Sequence, residues 1–345
     1  MTTRNTHLTP WRGAAIIASI ASASLMLATL QPARPADAST DSAAIAAPQN
    51  RLAPATASSP PAAKPTPGPY TYGWPVKPFH SQHPVRGFFG DPRIANNEQC
   101  KQFHFGVDVS APNGTPVYAT LTGTAYVNSR HATTVEIVGS NGVEFSYWHI
   151  HPAVTHGQHV LAHETVIGHI EKPYGHVHFS EKRDGRYLNP LRPGAMGPFA
   201  DGTRPWVKAL HTQVDGRRVD PAAVGAFDLV VEAYDETPIA IPRPWHELPV
   251  TPALVRWRIL GARGGVVLSW QTAADFRRTI PPASSFSAVW APGTKQKLVR
   301  APGHYRFVLA RGLELPAGTY RVEVAARDLS GNGTLRGFEL DTERA

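Results

Sequence analysis

The stretch of sequence that decides the fold is Thr134-Val-Glu-Ile-Val-Gly-Ser-Asn-Gly-Val-Glu-Phe-Ser-Tyr147. Apolar and polar side chains alternate on both sides of Gly139-Ser-Asn-Gly142. Alternation with a period of two is typical of half-buried strands, and a short Gly/Asn segment between two such runs indicates a hairpin. The sequence therefore predicts antiparallel strands over residues 134–138 and 143–147, joined by a tight turn.

Other short runs around this hairpin have the same character. They are Thr115-Pro-Val-Tyr-Ala119, Gly123-Thr-Ala-Tyr-Val127 and His176-Val-His-Phe-Ser180. No amphipathic pattern of ten or more residues, as a helix would need, is apparent between Tyr70 and Asn189. We therefore expect a mainly β fold, with one antiparallel β-sheet domain over residues 70–200.

A second set of alternating runs follows this domain. The runs are Phe227-Asp-Leu-Val-Val-Glu-Ala233, Ala253-Leu-Val-Arg-Trp-Arg-Ile259, Val266-Val-Leu-Ser-Trp270 and Tyr320-Arg-Val-Glu-Val-Ala325. Turn signals such as Pro316-Ala-Gly318 separate them, so residues 205–345 are predicted to form a small β-sandwich. The stretch Ala317–Asp328 resembles a late strand of an immunoglobulin-like domain. We expect this region first to pack against residues 70–200, with polymer binding and a spacer role as alternatives.

Composition limits the classes of function. The chain has 345 residues, enough for about two domains, and its formal charge is +8. A basic surface favours contact with an anionic polymer or a membrane surface. The sequence has no cluster of five to eight Lys and Arg residues and no basic region interleaved with aromatics, so nucleic acid is not expected as a partner.

The amino terminus has the layout of an export signal. Arg4 and Arg12 precede an uncharged run over residues 13–30, and Ala36-Asp-Ala38 matches a small-x-small cleavage site. We predict a signal peptide over residues 1–38, with an uncleaved membrane anchor through residues 13–30 as the alternative. Residues 39–69 are rich in Ala, Pro, Ser and Thr and are predicted to form a disordered linker. The protein is therefore expected in the periplasm or the cell envelope, or secreted.

Histidines and one carboxylate form the candidate site. In a strand, residues i and i+2 face the same side, so the imidazoles of His176 and His178 are presented together. His104 and Asp108 share a face of an extended chain in the same way. Zinc takes such nitrogen and oxygen ligands, and a catalytic site uses three of them and keeps one position open. His104, Asp108 and either His176 or His178 meet that count, and the remaining histidine would handle protons.

Two further residues, His149 and Cys100, are candidates for the site. His149 lies in Tyr147-Trp-His-Ile150, at the end of a predicted strand. Cys100 is the only cysteine, which rules out an intramolecular disulfide, and it lies four residues before His104. A ligand role for Cys100 is the weaker alternative, because His104, Asp108 and the His176/His178 pair already provide a complete set.

The order of these elements resembles the lysostaphin-type (LytM-like, β-lytic) zinc metallopeptidases of family M23. The resemblance spans roughly residues 72–192. The matching motifs are His104-Phe-Gly-Val-Asp108, Pro112-Asn-Gly-Thr-Pro-Val117, Tyr147-Trp-His149, Gly157-Gln-His-Val160, Ile167-Gly168, His176-Val-His-Phe179 and Asn189-Pro190. The sequence departs from the family at Gly175, which directly precedes His176, where the family usually has one residue in between. His151, two residues after His149 on the same predicted face, is a competing candidate for its place.

The resemblance implies a fold, a cofactor and roles for the residues. The fold would be the antiparallel sheet of the duplicated hybrid motif type, and each chain would carry one zinc ion. His104, Asp108 and His178 would bind the metal, and His149 and His176 would be catalytic.

The implied activity is a zinc-dependent endopeptidase that hydrolyses peptidoglycan stem or cross-bridge peptides through metal-activated water attack. The alternative is a catalytically silent wall-binding protein that activates another hydrolase. A third hypothesis is a structural β-protein without activity, in which the histidines lie close together by coincidence.

Overall fold

The computed structural model describes residues 68–95, 100–128, 133–219, 222–243, 245–246, 248–296 and 303–343. They belong to one compact unit that spans Ser59–Ala345. The regular structure in these ranges is almost entirely β, which confirms the predicted fold class. Within the described residues the helical segments are a 3₁₀ turn, Ala283–Ser285, and one short α-helix, α1 (Phe286–Val289).

In the part of the chain that the structure describes, fifteen strands precede residue 200. They are β1 (Tyr70–Tyr72), β2 (Val85–Gly87), β3 (Pro92–Ala95), β4 (Cys100–Phe103), β5 (Val107–Ser110), β6 (Pro116–Tyr118), β7 (Gly123–Val127), β8 (Thr134–Val138), β9 (Val143–Trp148), β10 (Ile150–Pro152), β11 (His159–Val160), β12 (Val166–Ile170), β13 (His176–Arg183), β14 (Arg186–Leu188) and β15 (Gly194–Met196).

Nine strands follow. They are β16 (Trp206–Val214), β17 (Arg217–Val219), β18 (Ala222–Val224), β19 (Phe227–Tyr234), β20 (Leu254–Gly261), β21 (Val266–Asp275), β22 (Arg306–Leu313), β23 (Gly318–Arg327) and β24 (Gly333–Glu343).

An eight-stranded sheet forms the centre of the first part. Its order is β11-β7-β8-β9-β13-β5-β2, with β14 paired to β13. The hairpin expected from the sequence is β8–β9, and Gly142 closes its turn with φ 73°. A left-handed φ of this kind favours glycine, which explains the residue at this position.

Strand β13 has one apolar and one polar face. Val177 and Phe179 are fully buried, and the Phe179 ring packs against Phe145 and Tyr147 at centroid distances of 5.1 and 5.3 Å. Because side chains alternate along a strand, the intervening His178 points to the opposite face. This packing fixes the direction in which the histidines of β13 project.

The second part contains two sheets. Their orders are β17-β16-β19-β22 and β18-β24-β23-β20-β21, and all pairs are antiparallel except β18–β24. Buried side chains from both sheets, such as Val231 and Val324, belong to the same hydrophobic cluster. The four predicted runs coincide with β19, β20, β21 and β23. The immunoglobulin-like assignment of this part stays a prediction.

The two parts pack against each other. The Asn189 side-chain amide donates to the Phe276 carbonyl at 2.9 Å. The Phe103 ring contacts the rings of Phe276 and Phe286 at centroid distances of 5.8 and 5.2 Å. Packing against the first part was the leading expectation for the second part, and these contacts agree with it. The division into domains at residues 200 and 205 stays a prediction.

The amino-terminal predictions concern residues that the structure does not describe. The signal peptide or anchor, residues 1–38, and nearly all of the linker, residues 39–69, lie outside the described ranges. In the ranges that are described, no helix has the length and apolar character needed to cross a membrane.

Candidate metal centre

The register of β13 against β5 positions two of the candidate ligands. His178 lies directly opposite Asp108 in the antiparallel ladder. His104 lies just after β4, and its ring is 4.7 Å from that of His178 between centroids. All three residues are buried. The structure therefore brings His178 next to His104 and Asp108, which are close to each other in the sequence but far from His178.

Three donor atoms converge at one point. His104 Nε2 lies 2.8 Å from His178 Nδ1 and 3.0 Å from Asp108 Oδ1, and His178 Nδ1 lies 3.1 Å from that same oxygen. Zinc bonds of about 2.0–2.1 Å in tetrahedral geometry place donors roughly 3.3 Å apart. The three atoms need to move by only a few tenths of an ångström to meet that spacing.

The protonation of His104 supports a cation at this point. Its Nδ1 lies 2.9 Å from the Phe88 carbonyl oxygen, which can only accept, so Nδ1 carries the proton. The Nε2 of neutral His104 is then a lone pair that faces the carboxylate oxygen of Asp108. Two acceptors this close repel each other unless a positive charge lies between them. The donor set therefore fits a divalent metal ion.

A contact to the second carboxylate oxygen of Asp108 orients this residue. Arg93 donates from its guanidinium to Asp108 Oδ2 at 2.6 Å, which leaves Oδ1 facing the imidazoles. Gly87 makes room for this pair, because a Cβ there would lie 2.4 Å from the Arg93 guanidinium and 2.6 Å from Asp108 Oδ2. Partners that hold ligands in this way typically increase metal affinity 10–100-fold.

His176 and His149 lie beside the three donors. His176 Nδ1 donates to the Tyr174 carbonyl at 2.9 Å, so in neutral His176 the Nε2 carries the lone pair, 3.5 Å from Asp108 Oδ1. The His149 ring stacks on Tyr174 at 4.1 Å and lies 4.7 Å from the His176 ring. His149 separates β9 from β10 and has φ 65°, a conformation that non-glycine residues rarely adopt and that clusters at functional sites.

Burial and neighbouring charges set the protonation states of these groups. Burial lowers the pKa of His104 and of His149 to about 3, and that of His176 to about 4. Burial raises the pKa of Asp108, but His104, Arg93 and His176 outweigh it and hold that pKa well below its usual range. At neutral pH these three imidazoles are therefore uncharged and the carboxylate is ionised.

The donors open onto a cavity of about 700 Å³. His149, His176 and the three converging residues line this cavity. The second part of the chain also contributes lining residues, which the sequence did not predict. These residues are Trp245, Leu248, Pro249, Lys295, Gln296 and Tyr305.

Two arginines that line the cavity were also not predicted from the sequence. Arg93 pairs with Asp108, and the Arg86 guanidinium lies over the Trp245 ring, 4.6 Å from its centroid. Arg86 Nη1 is buried and has no hydrogen-bond partner among the described residues. An arginine before Phe88-Phe-Gly-Asp-Pro-Arg93 carries no local pattern that distinguishes it from a surface residue.

The competing candidates lie elsewhere. His151 is exposed on β10, opposite His169, whereas His149 lines the cavity. His156, His159 and His169 are exposed, and His163 is partly buried and stacks on Phe79 at 4.6 Å. Cys100 begins β4.

Gly175, the departure from the family pattern, has φ 62°, and its N–H donates to the Asn113 side chain at 2.8 Å.

Comparisons with known proteins bear on this site. Residues 102–190 match the model of peptidase family M23, whereas no curated protein matches the chain. A chain of the SpoIIIAH–SpoIIQ complex is 23% identical with a TM-score of 0.29, covering 35% of this chain and 98% of that one. A zinc-containing peptidase from Vibrio cholerae is 22% identical with a TM-score of 0.30, covering 38% and 41%.

A mutant catalytic domain of the prophage-encoded M23 protein EnpA from Enterococcus faecalis is 24% identical with a TM-score of 0.25, covering 32% of this chain and 92% of that one. Similarity at these TM-scores adds nothing to the assignment, which rests on the family model and on the motifs within the matched residues. Over residues 102–190, this chain is therefore similar to peptidase family M23.

Proposed function

We propose that this protein is an exported zinc endopeptidase that hydrolyses peptide bonds in peptidoglycan. The observation that carries the proposal is the convergence of His104 Nε2, Asp108 Oδ1 and His178 Nδ1 within 3.1 Å of one another, beside two further imidazoles. The match of residues 102–190 to a peptidase family supports the same activity.

His104, Asp108 and His178 would hold the zinc ion. When bound, zinc polarises the scissile carbonyl and lowers the pKa of a water molecule toward about 7. Arg93 and the Phe88 carbonyl keep Asp108 and His104 in the orientation that binding requires. Three protein ligands leave a position open for substrate, as catalytic zinc sites do.

Proton transfer is assigned to His176 and His149. His176 Nε2 accepts a proton from the attacking water, because its Nδ1–H is already committed to the Tyr174 carbonyl. The protonated ring then gives that proton to the leaving amine as the C–N bond breaks. His149, stacked on Tyr174 beside His176, donates its N–H to the carbonyl oxygen as negative charge develops there.

The cavity favours a peptide with a carboxylate near the scissile bond. Arg86 places a buried nitrogen without a partner among the described residues at its wall, and Lys295 adds a second positive charge. Charge-assisted hydrogen bonds from a guanidinium to a carboxylate are short and specific. Stem peptides of peptidoglycan carry free carboxylates, and the net charge of +8 favours contact with an anionic wall.

The rival function is that of an activator without chemistry of its own. Purified protein and its His176→Ala variant are incubated with peptidoglycan sacculi, and new amino termini in the soluble fraction are quantified. We expect amino termini to be released by the wild type and not by the variant. If neither protein releases them, while both stimulate a second wall hydrolase equally, the enzyme proposal is wrong and the activator is correct.

A further inference from the structure

A second group of buried acidic residues lies away from the metal centre. Asp201 is in the segment between β15 and β16, Asp235 directly follows β19, and Asp328 directly follows β23. Their exposed fractions are 1%, 1% and 6%. Three segments that are remote in sequence therefore bring three carboxylates together in the interior.

Hydrogen bonds within the protein satisfy only part of this group. Asp201 Oδ1 accepts from the Thr203 N–H and hydroxyl at 2.8 and 2.6 Å, and Asp235 Oδ1 accepts from the Glu236 N–H at 2.8 Å. The second oxygen of each, Asp201 Oδ2 and Asp235 Oδ2, is buried and has no hydrogen-bond partner in the described part of the chain. An unpaired carboxylate oxygen in the interior is costly, and native structures rarely keep one.

Ion pairs do not compensate the charge of this group in the described ranges, because none of the salt bridges to Lys, Arg or His involves Asp201, Asp235 or Asp328. Burial, followed by repulsion from Asp201, raises the pKa of Asp235 to about 8. A cation between the carboxylates would remove both the repulsion and the unpaired oxygens.

The space available suits a single ion. A cavity of about 10 Å³, roughly one water-sized sphere, is lined by the three carboxylates together with Phe88 and Phe89. One oxygen from each carboxylate lies within 4.8 Å of the others. Calcium binds oxygen at about 2.3–2.6 Å, so a single ion can contact three oxygens that are no farther apart than these.

We propose that Asp201, Asp235 and Asp328 form a calcium site. The donors are carboxylate oxygens only, without nitrogen or sulfur, which selects a hard cation over zinc. The ion fastens the segment that follows the M23 region to the ends of β19 and β23, at the seam where Phe88 and Phe89 of the first part meet the second part. This site is independent of the zinc centre and of the proposed peptidase activity.

The test is the calcium dependence of stability in the full chain. Protein freed of metal with a chelator is titrated with calcium chloride to about 10 mM, which covers weak extracellular sites, and thermal unfolding is followed. At a calcium concentration 100 times Kd, the ratio of folded to unfolded protein rises about 100-fold and Tm rises by several degrees. Titration calorimetry is expected to give one site per chain.

Asp235→Asn is the variant that decides the result. It removes a ligand but also relieves repulsion, so we expect it to fold, to keep its zinc content and to show no calcium-induced rise in Tm. Asp341→Asn, an exposed carboxylate in β24, is the matched control and should respond like the wild type. No calcium response in the wild type, or an equal response in Asp235→Asn, would overturn the proposal and indicate carboxylates that share protons instead.

Discussion

The Nε2 of His104 faces Asp108 Oδ1 at 3.0 Å, although the Nδ1 of the same ring already donates its proton to the Phe88 carbonyl. A lone pair and a carboxylate oxygen are thus held face to face in the interior. Arg93 holds Asp108 in place from behind, through its other oxygen. The local structure keeps this pair in a geometry that only a shared cation or proton stabilises.

His178→Ala removes one of the three donors. Because only two of the three protein donors remain, we expect zinc to fall from about one ion per chain to near zero and peptide hydrolysis to stop. Metal content is measured by elemental analysis after gel filtration. His151→Ala is the matched control, since His151 is exposed on β10, and it should keep both metal and activity. Retention of zinc by the His178 variant would show that the ligand set is wrong.

His149→Ala separates metal binding from chemistry. His149 stacks on Tyr174 beside His176 and is not one of the converging donors. We expect zinc content to be unchanged and kcat to fall by about 10²–10⁴-fold, the usual contribution of a proton-transfer group. Steady-state kinetics on a stem-peptide substrate give the comparison. Full turnover in this variant would refute the role assigned to His149.

Arg86→Gln tests recognition of a substrate carboxylate. The guanidinium lies against Trp245 at the cavity wall, and one of its nitrogens has no partner among the described residues, so its loss should weaken substrate binding more than catalysis. We expect KM to rise about tenfold with a smaller change in kcat. Arg277→Gln, an exposed arginine paired with Asp275, serves as the control. A substrate amidated at its carboxylates should abolish the difference between variant and wild type, and persistence of that difference would argue against the assigned contact.

The fold is predicted to lose stability in mild acid. Burial lowers the pKa of His83 and of His163 below the ordinary value of 6.5. Below that pH the unfolded chain takes up protons that the folded protein binds less readily, so the stabilisation is complete above about pH 6.5 and declines as the pH falls. Urea unfolding of metal-free protein at about pH 8 and about pH 5.5 measures the slope. Replacing both residues with Gln should reduce the slope, and an unchanged slope would contradict this origin.

Local patterns were sufficient to predict the central hairpin and the shared face of two histidines. The alternation over residues 134–147 predicted the β8–β9 hairpin, because the strands and their turn are adjacent in sequence. The two-residue spacing of His176 and His178 predicted a shared face, and β13 presents both on the side opposite Val177 and Phe179. The choice between the two histidines came from the family resemblance and not from the spacing.

Features assembled from distant segments could not be predicted in this way. Trp245 and Lys295 line the cavity because the second part of the chain packs against the first. The pattern of apolar and polar residues in the sequence does not indicate how the two parts pack. Asp201, Asp235 and Asp328 each follow or precede a strand and individually look like ordinary turn residues. The three carboxylates lie close together because β19 and β23 end near each other and the segment between β15 and β16 passes the same point.

Hydrolysis of peptidoglycan peptides with a zinc ion held by His104, Asp108 and His178 is tested by mass analysis of the fragments that the purified protein releases from sacculi. The fragments are compared before chelation, after chelation and after zinc is restored. We expect peptide fragments that disappear with the chelator and return with one equivalent of zinc per chain. Fragments that are released equally with and without the metal, or no fragments from any wall type by protein that holds its zinc, would contradict this expectation.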